Sequence, residues 1–309
     1  MELKALWIVG LLLLFAPDMV TDDFTIKLPD QTSVKVQYSD YSLPGLSMID
    51  FSKLDQLMDQ LDRKLYKPAT NARINANNRI VGEQPGQQLN RRLFTEQIIR
   101  IYEEMRTTEA LEAPVEVIYP KVDSETLASI REKPVGYYVT YYNSRNKNRS
   151  HNIALAAEAI NNTVVFPGEL FSFNKVVGMR TKERGYQQAP IIVRGELAEG
   201  IGGGICQVSS TLYNAVDRAG VQIVERYSHS KRVPYVLAGR DATVSWNGPD
   251  FSFHNPYNQP LLIRAFATGG RMLVTVYSSD VIEYKPREVP GISARQLPEE
   301  ISITAPGHE

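Results

Sequence analysis

Apolar and polar positions alternate at Phe24, Ile26 and Leu28 and again at Val34 and Val36, which predicts a strand pair within residues 23–50. The spacing changes at Phe51. From there Leu54, Leu57, Met58, Leu61 and Leu65 share one face of a helix that Lys67-Pro68 closes. A strand with a turn follows over 72–81, then a helix over 91–105 with Phe94, Ile98, Ile101, Tyr102 and Met105 on one face, then a short strand over 115–119. Together these predict a small α+β unit spanning 23–133.

Strand periods dominate from residue 134 onward. Val135 to Tyr142 reads as a strong strand, Ile153 to Ile160 as an alanine-rich helix, and Leu170 to Phe173 and Ile191 to Val193 as strands around a loop at 178–185. A helix over 207–219 stops at Gly220, the residue type that commonly ends helices in a left-handed conformation. Alternation resumes from Val221 to Tyr227, and short strands follow at 242–244, 261–266 and 272–277. The fold class is therefore α+β, with a β-rich second domain over 134–280 that carries one prominent helix, and a polar tail over 281–309. No internal repeat is present.

Ahead of both domains, Lys4 precedes an apolar run from Ala5 to Ala16 that Pro17-Asp18 ends. The run is short for a bilayer span and suits the apolar region of a signal peptide. Residues 1–22 are read as a signal peptide or a retained N-terminal membrane anchor, and the protein as exported to the outer face of a bacterial membrane or its wall. Contact with membrane is expected only through this segment.

Composition narrows the classes. Lys plus Arg number 34 against 35 Asp plus Glu, so no basic footprint for nucleic acid exists. An apolar fraction of 43% indicates folded chain. Sixteen tyrosines against two tryptophans fit a β-rich body with polar-tipped aromatic surfaces.

One cysteine occurs in the chain, Cys206, within Gly202-Gly203-Gly204-Ile205-Cys206-Gln207-Val208-Ser209-Ser210-Thr211. In an exported chain a lone thiol has no internal disulfide partner, so it is either an inert buried residue or a nucleophile. The glycines allow close backbone approach, and the following helix puts the thiol near free amides and the positive end of the helix dipole, which favour a thiolate. Those amides also suit an oxyanion formed during acyl transfer.

A thiol nucleophile needs a base, and histidines stand only at 151, 229, 254 and 308. His308 lies in the tail. His229 ends the strand after the cysteine helix, where a short return brings it back toward Cys206, and it is the first candidate. His254, in a turn between strands, is the reserve. Asp241 begins a later strand and suits the orienting member of a triad, and Arg240 suits a bidentate carboxylate clamp. Either histidine could instead be structural, and Arg240 and Asp241 could form a salt bridge at a strand entry. Gly203, Gly204, Arg240 and Ser209 are assigned to oxyanion and substrate binding. The histidine and cysteine spacing matches no metal site, and no cofactor is expected.

Residues 137–277 resemble the VanW domain family. The resemblance is carried by Asn148-Arg149-Ser150-His151-Asn152-Ile153, Phe166-Pro167-Gly168-Glu169-Leu170-Phe171-Ser172-Phe173-Asn174, Gly185-Tyr186-Gln187-Gln188-Ala189-Pro190, the glycine–cysteine run through Ala215, His229-Ser230, Gly239 to Val244 and Pro260 to Ile263. It implies an extracytoplasmic cell-wall role, in a family named from glycopeptide-resistance gene clusters. Clostridial members resemble L,D-transpeptidases, which form 3-3 peptidoglycan cross-links through a cysteine acyl-enzyme. By that similarity Cys206 is the nucleophile and peptidoglycan stem peptides are the partner. A segment with Ile74-Asn75-Ala76, Gln84-Pro85-Gly86 and Leu89-Asn90 resembles a small peptidoglycan-binding domain. Three readings follow: a cysteine transpeptidase, a thiol peptidase or amidase acting on stem peptides, and a non-catalytic wall-binding or scaffolding protein.

Overall fold

The computed structural model describes residues 23–44, 48–104, 110–193 and 196–291. The expected signal or anchor segment, Met105 and His308 lie outside these residues. The chain is α+β and divides into two compact units.

The first unit comprises the described residues from 23 to Thr70 together with those of Gln84–Pro120. Its sheet places Asp23–Lys27 between antiparallel Ser33–Gln37 and parallel Ala110–Glu112. The helix Phe51–Leu65 starts where Asp50 accepts hydrogen bonds from the Ser52 and Lys53 amides at 3.0 and 3.3 Å, a side-chain N-cap. Its apolar face, Leu54, Leu57, Met58, Leu61 and Leu65, is buried with Phe24 and Ile26 of the sheet and Phe94 and Ile98 of the helix Arg91–Glu104. Gly86–Leu89 pairs antiparallel with Val115–Ile118.

The second unit takes Asn71–Glu83 and the described residues from Lys121 onward. Its centre is an antiparallel sheet ordered Lys133–Tyr141, Arg271–Ser278, Leu261–Thr268 and Thr163–Val165. Successive side chains of a strand face opposite sides. Leu261 and Ile263 accordingly join the large core with Val208, Leu212 and Val216 of the helix Ile205–Arg218, while Leu262 joins Ala72, Ile74, Leu127 and Ile130 on the other face. The hairpin Arg73–Ile74/Ile80–Val81 and the helix Ser124–Ile130 thus cover the outer face of this sheet. That is why the structure draws the boundary differently from 23–133/134–280: the segments 71–83 and 121–133 bury their apolar side chains in the second unit.

The inner face carries two helices, Lys147–Ile160 and Ile205–Arg218. A Cβ at Gly136 would overlap the Ala215 carbonyl oxygen and lie 2.8 Å from the Ala219 amide nitrogen, so the second helix lies directly on the strand backbone at that point. A three-stranded sheet of Leu170–Ser172, Ser252–His254 and Gln222–Glu225 and a hairpin of Gln188–Val193 and Glu196–Ile201 complete the unit. The expected strand at 242–244 is only a bridge between Tyr227 and Thr243.

Residues 281–291 belong to this body rather than to a polar tail. Ile282 and Val289 are buried, Tyr138 donates its hydroxyl to the Pro290 carbonyl at 3.0 Å, and Arg287 donates its amide to the Arg218 carbonyl at 3.0 Å. The rest of the expected tail, 292–309, falls outside the described residues. Among the described residues no helix is long and apolar enough to cross a membrane.

Candidate active site

Cys206 is the second residue of the helix Ile205–Arg218, whose N-cap Gly204 has a φ of 107°. Backbone there is left-handed, a conformation that favours glycine. The preceding turn is fixed from two sides. A Cβ on Gly203 would come within 2.5 Å of the Ala189 carbonyl oxygen and 2.6 Å of the Pro190 oxygen. Buried Asn152 donates to the Gly203 and Gln187 carbonyls at 3.0 and 2.9 Å and accepts from the Gln187 amide at 2.8 Å. The Ile205 and Gln207 amides donate to the Gly202 and Gly204 carbonyls, whereas the Cys206 amide has no acceptor among the described residues. It stands beside the Cys206 thiol as a donor of the kind that can stabilise an oxyanion.

The helix also positions the other members of the site, through side chains that are polar and buried. Ser209 and Ser210 donate to the Ala242 carbonyl, and Ser210 accepts from the Ala242 amide at 2.9 Å. Asn214 donates to the Arg240 carbonyl at 2.8 Å. The run Arg240-Asp241-Ala242 is thereby docked along one helix face. Asp241 in turn holds His229: one carboxylate oxygen accepts from both the His229 amide and Nδ1, each at 2.6 Å. A carboxylate can only accept, so Nδ1 carries the proton and Nε2 is left for the thiol.

His229 and Asp241 side chains are almost enclosed, at 7% and 9% exposure. Burial pushes the Cys206 thiol up, but the hydrogen bond and positive charge of His229 outweigh it and hold the thiol below its ordinary value. Burial lowers His229, yet its contacts with Cys206 and then Asp241 raise it overall. For Asp241, burial raises the carboxyl while the hydrogen bonds and charge of His229 bring it below the usual range. All three directions favour a thiolate–imidazolium pair backed by a carboxylate. The Cys206 Sγ also lies 3.5 Å from the Val244 carbonyl oxygen and 3.8 Å from the Thr243 hydroxyl.

Cys206, His229, Thr243 and Val244 form part of the wall of a cavity of about 2100 Å³, which Arg180 and Trp246 also line. Gly204 reaches this wall, whereas Gly203 does not and is a packing position against Ala189 and Pro190. Two further assignments change. Ser209 is fully buried with its hydroxyl on the Cys206 and Ala242 carbonyls, so it is internal support and does not face a substrate. Arg240 is absent from the cavity wall: its guanidinium donates to Asp217 and Asn214 at 2.7 Å and lies 4.7 Å from the Tyr213 ring. The reserve base His254 sits in the strand Ser252–His254, also outside the cavity wall. Asn152 and Arg180 were not singled out from sequence. For Asn152 the pointer is a buried amide in an otherwise apolar helix face; Arg180 lies in a loop without periodicity. Among the described residues no group of three or more His, Cys, Asp or Glu is placed to hold a metal ion.

A cysteine at a helix N-terminus, a histidine in the same cavity wall and a carboxylate orienting that histidine make an arrangement suited to a thiol nucleophile. Residues 148–277 match the model of the VanW-like protein family and contain every member of this constellation. The chain is 53% identical over 297 residues to YoaR, an uncharacterized protein of Bacillus subtilis, across 96% of this chain and 97% of that relative. It is 29% identical over 136 residues to the vancomycin B-type resistance protein VanW of Enterococcus faecalis, covering 42% of this chain and 48% of the relative. The chain belongs to the VanW-like family. No solved structure matches it significantly.

Proposed function

We propose that the protein is a cell-wall cysteine acyltransferase of the L,D-transpeptidase type, acting on peptidoglycan stem peptides outside the cytoplasmic membrane. The observation that carries this reading is that His229, held by Asp241, shares the wall of one large cavity with Cys206 at a helix N-terminus, and lowers the thiol's pKa there. The Cys206 thiolate attacks the carbonyl carbon of the third stem residue, forming a C–S bond and an oxyanion that the Cys206 amide stabilises. Collapse of that intermediate breaks the C–N bond, and the departing amine of D-alanine takes a proton from His229. The side-chain amine of a second stem then attacks the thioester, giving its proton to His229. The thiolate leaves, and a 3-3 cross-link remains. Water in place of the amine would give a trimmed stem, a carboxypeptidase outcome of the same chemistry.

The test is mass spectrometry of muropeptides incubated with the purified protein beside a Cys206→Ala variant. A 3-3 dimer formed only by the intact protein is the expected result. Trimmed stems without dimer would move the reading to a peptidase. Identical, unchanged muropeptides with both proteins would overturn catalysis and favour wall binding.

A further inference from the structure

Arg180 is an unusual member of the cysteine cavity. Its side chain lies against the turn that precedes Cys206, since a Cβ on Gly202 would meet the Arg180 Cβ at 3.2 Å. Its Nη2 donates to Asn174 Oδ1 at 2.6 Å. That acceptor is fixed, because the same amide donates through Nδ2 to the Ser245 and Pro249 carbonyls at 2.9 and 3.2 Å. The guanidinium carbon lies 6.0 Å from the Phe173 ring centroid. Its Nε and Nη1 atoms are buried and have no hydrogen-bond partner, and no carboxylate forms an ion pair with Arg180 among the described residues.

Buried donors on a charged group are costly to leave unpaired, and a guanidinium stays protonated in proteins. Nη2 bears two hydrogens and gives one to Asn174. Whichever it gives, one edge of the guanidinium keeps two parallel donors. That geometry fits a carboxylate through a bidentate pair. Arg240, the residue that sequence suggested for this task, already has Asp217 and Asn214.

We propose that Arg180 is the carboxylate-binding group of the cysteine cavity and holds the free α-carboxylate of the residue expelled from the acyl donor. This rests on the acyl-transfer reading above and deepens it. A clamp on the chain end makes the last peptide bond of the donor the one presented to Cys206. Arg180 is therefore a specificity-determining residue, and the donor class is a peptide ending in a free carboxylate rather than an internal segment.

Binding and turnover are measured separately. Calorimetric titration of the Cys206→Ala protein with a synthetic tetrapeptide stem and its C-terminal carboxamide should show the carboxylate form binding more tightly, on the order of tenfold or more. Adding Arg180→Gln should erase that preference. Arg180→Lys, which keeps charge but loses the bidentate edge, should retain part of it and serves as the deciding variant if the glutamine protein does not fold, judged by its melting curve. Equal binding of both peptides, no binding of either, or a preference that survives Arg180→Gln overturns the proposal. In turnover by the intact protein, amidating the donor should abolish product while amidating the acceptor should not. The opposite pattern would assign the subsite to the acceptor and overturn the proposal as stated. Dimer formation without the binding preference would remove the subsite and leave the transpeptidase. A binding preference without any turnover would do the reverse.

Discussion

At the residue scale, the protonation of Cys206 and His229 sets a pH window. The thiol sits below its ordinary value and the imidazole above its own, and both shifts move the two groups toward a thiolate–imidazolium pair. As pH falls through the thiol's value, the nucleophile is protonated and lost. As pH rises through the histidine's value, the proton needed by the leaving amine is lost. Activity should therefore be bell-shaped. Removing His229 leaves burial as the dominant influence on the thiol, and burial raises it. His229→Ala should thus slow iodoacetamide alkylation of Cys206 at neutral pH on the order of tenfold or more, with the midpoint of the rate–pH curve displaced upward. Asp241→Asn removes a contact that raises His229, so its alkaline limb should move to lower pH. A variant that alkylates at the parent rate with an unmoved midpoint would show that His229 does not activate the thiol. That Cys206, His229 and Asp241 come together was legible in sequence because four histidines left few partners for the thiol to choose from. Arg180 was not, because its role depends on which of its donors the fold leaves without a partner.

At the scale of elements, the helix Ile205–Arg218 both presents Cys206 and docks the strand-like segment that orients His229. Its buried serines, threonine and asparagine read in sequence as helical character after a cysteine. Their purpose became visible only with the Ala242 and Arg240 backbone beside them. Ser210→Ala deletes the acceptor of a buried amide, that of Ala242, and leaving such a donor unpaired costs about 1–3 kcal/mol. The expected result is a lower melting temperature together with slower alkylation of Cys206, since Asp241 loses its anchor one residue away. A stability loss with unchanged thiol reactivity would separate the docking role from the catalytic geometry. Gly136 tests the other side of the same helix. Its Cα hydrogen is the only room between strand and helix backbone, and overpacking such a contact costs about 1–3 kcal/mol or more. Gly136→Ala should therefore unfold at a clearly lower denaturant midpoint.

At the scale of the molecule, the α+β class and the strand-rich character after residue 134 were readable from periodicity, but the division into units was not. Periodicity identifies which face of an element is apolar, not which partner covers it. Ile74 lies in a short strand that looks continuous with the first unit, and only the Leu262 side of the central sheet explains where it is buried. The same holds for Leu127 and Ile130, which are 0% and 1% exposed on the helix Ser124–Ile130. Each such side chain contributes roughly 1.5–3 kcal/mol when withdrawn from water. A chain that starts at 134, where sequence places the boundary, and runs to 291 would keep the cysteine site but expose Leu262 and its neighbours. Melting temperatures should rise in the order 134–291, 121–291, 23–291, and the shortest chain should bind a hydrophobic dye most strongly. If 134–291 melts with the full chain and binds no dye, the hairpin over 71–83 and the helix Ser124–Ile130 contribute nothing to the second unit.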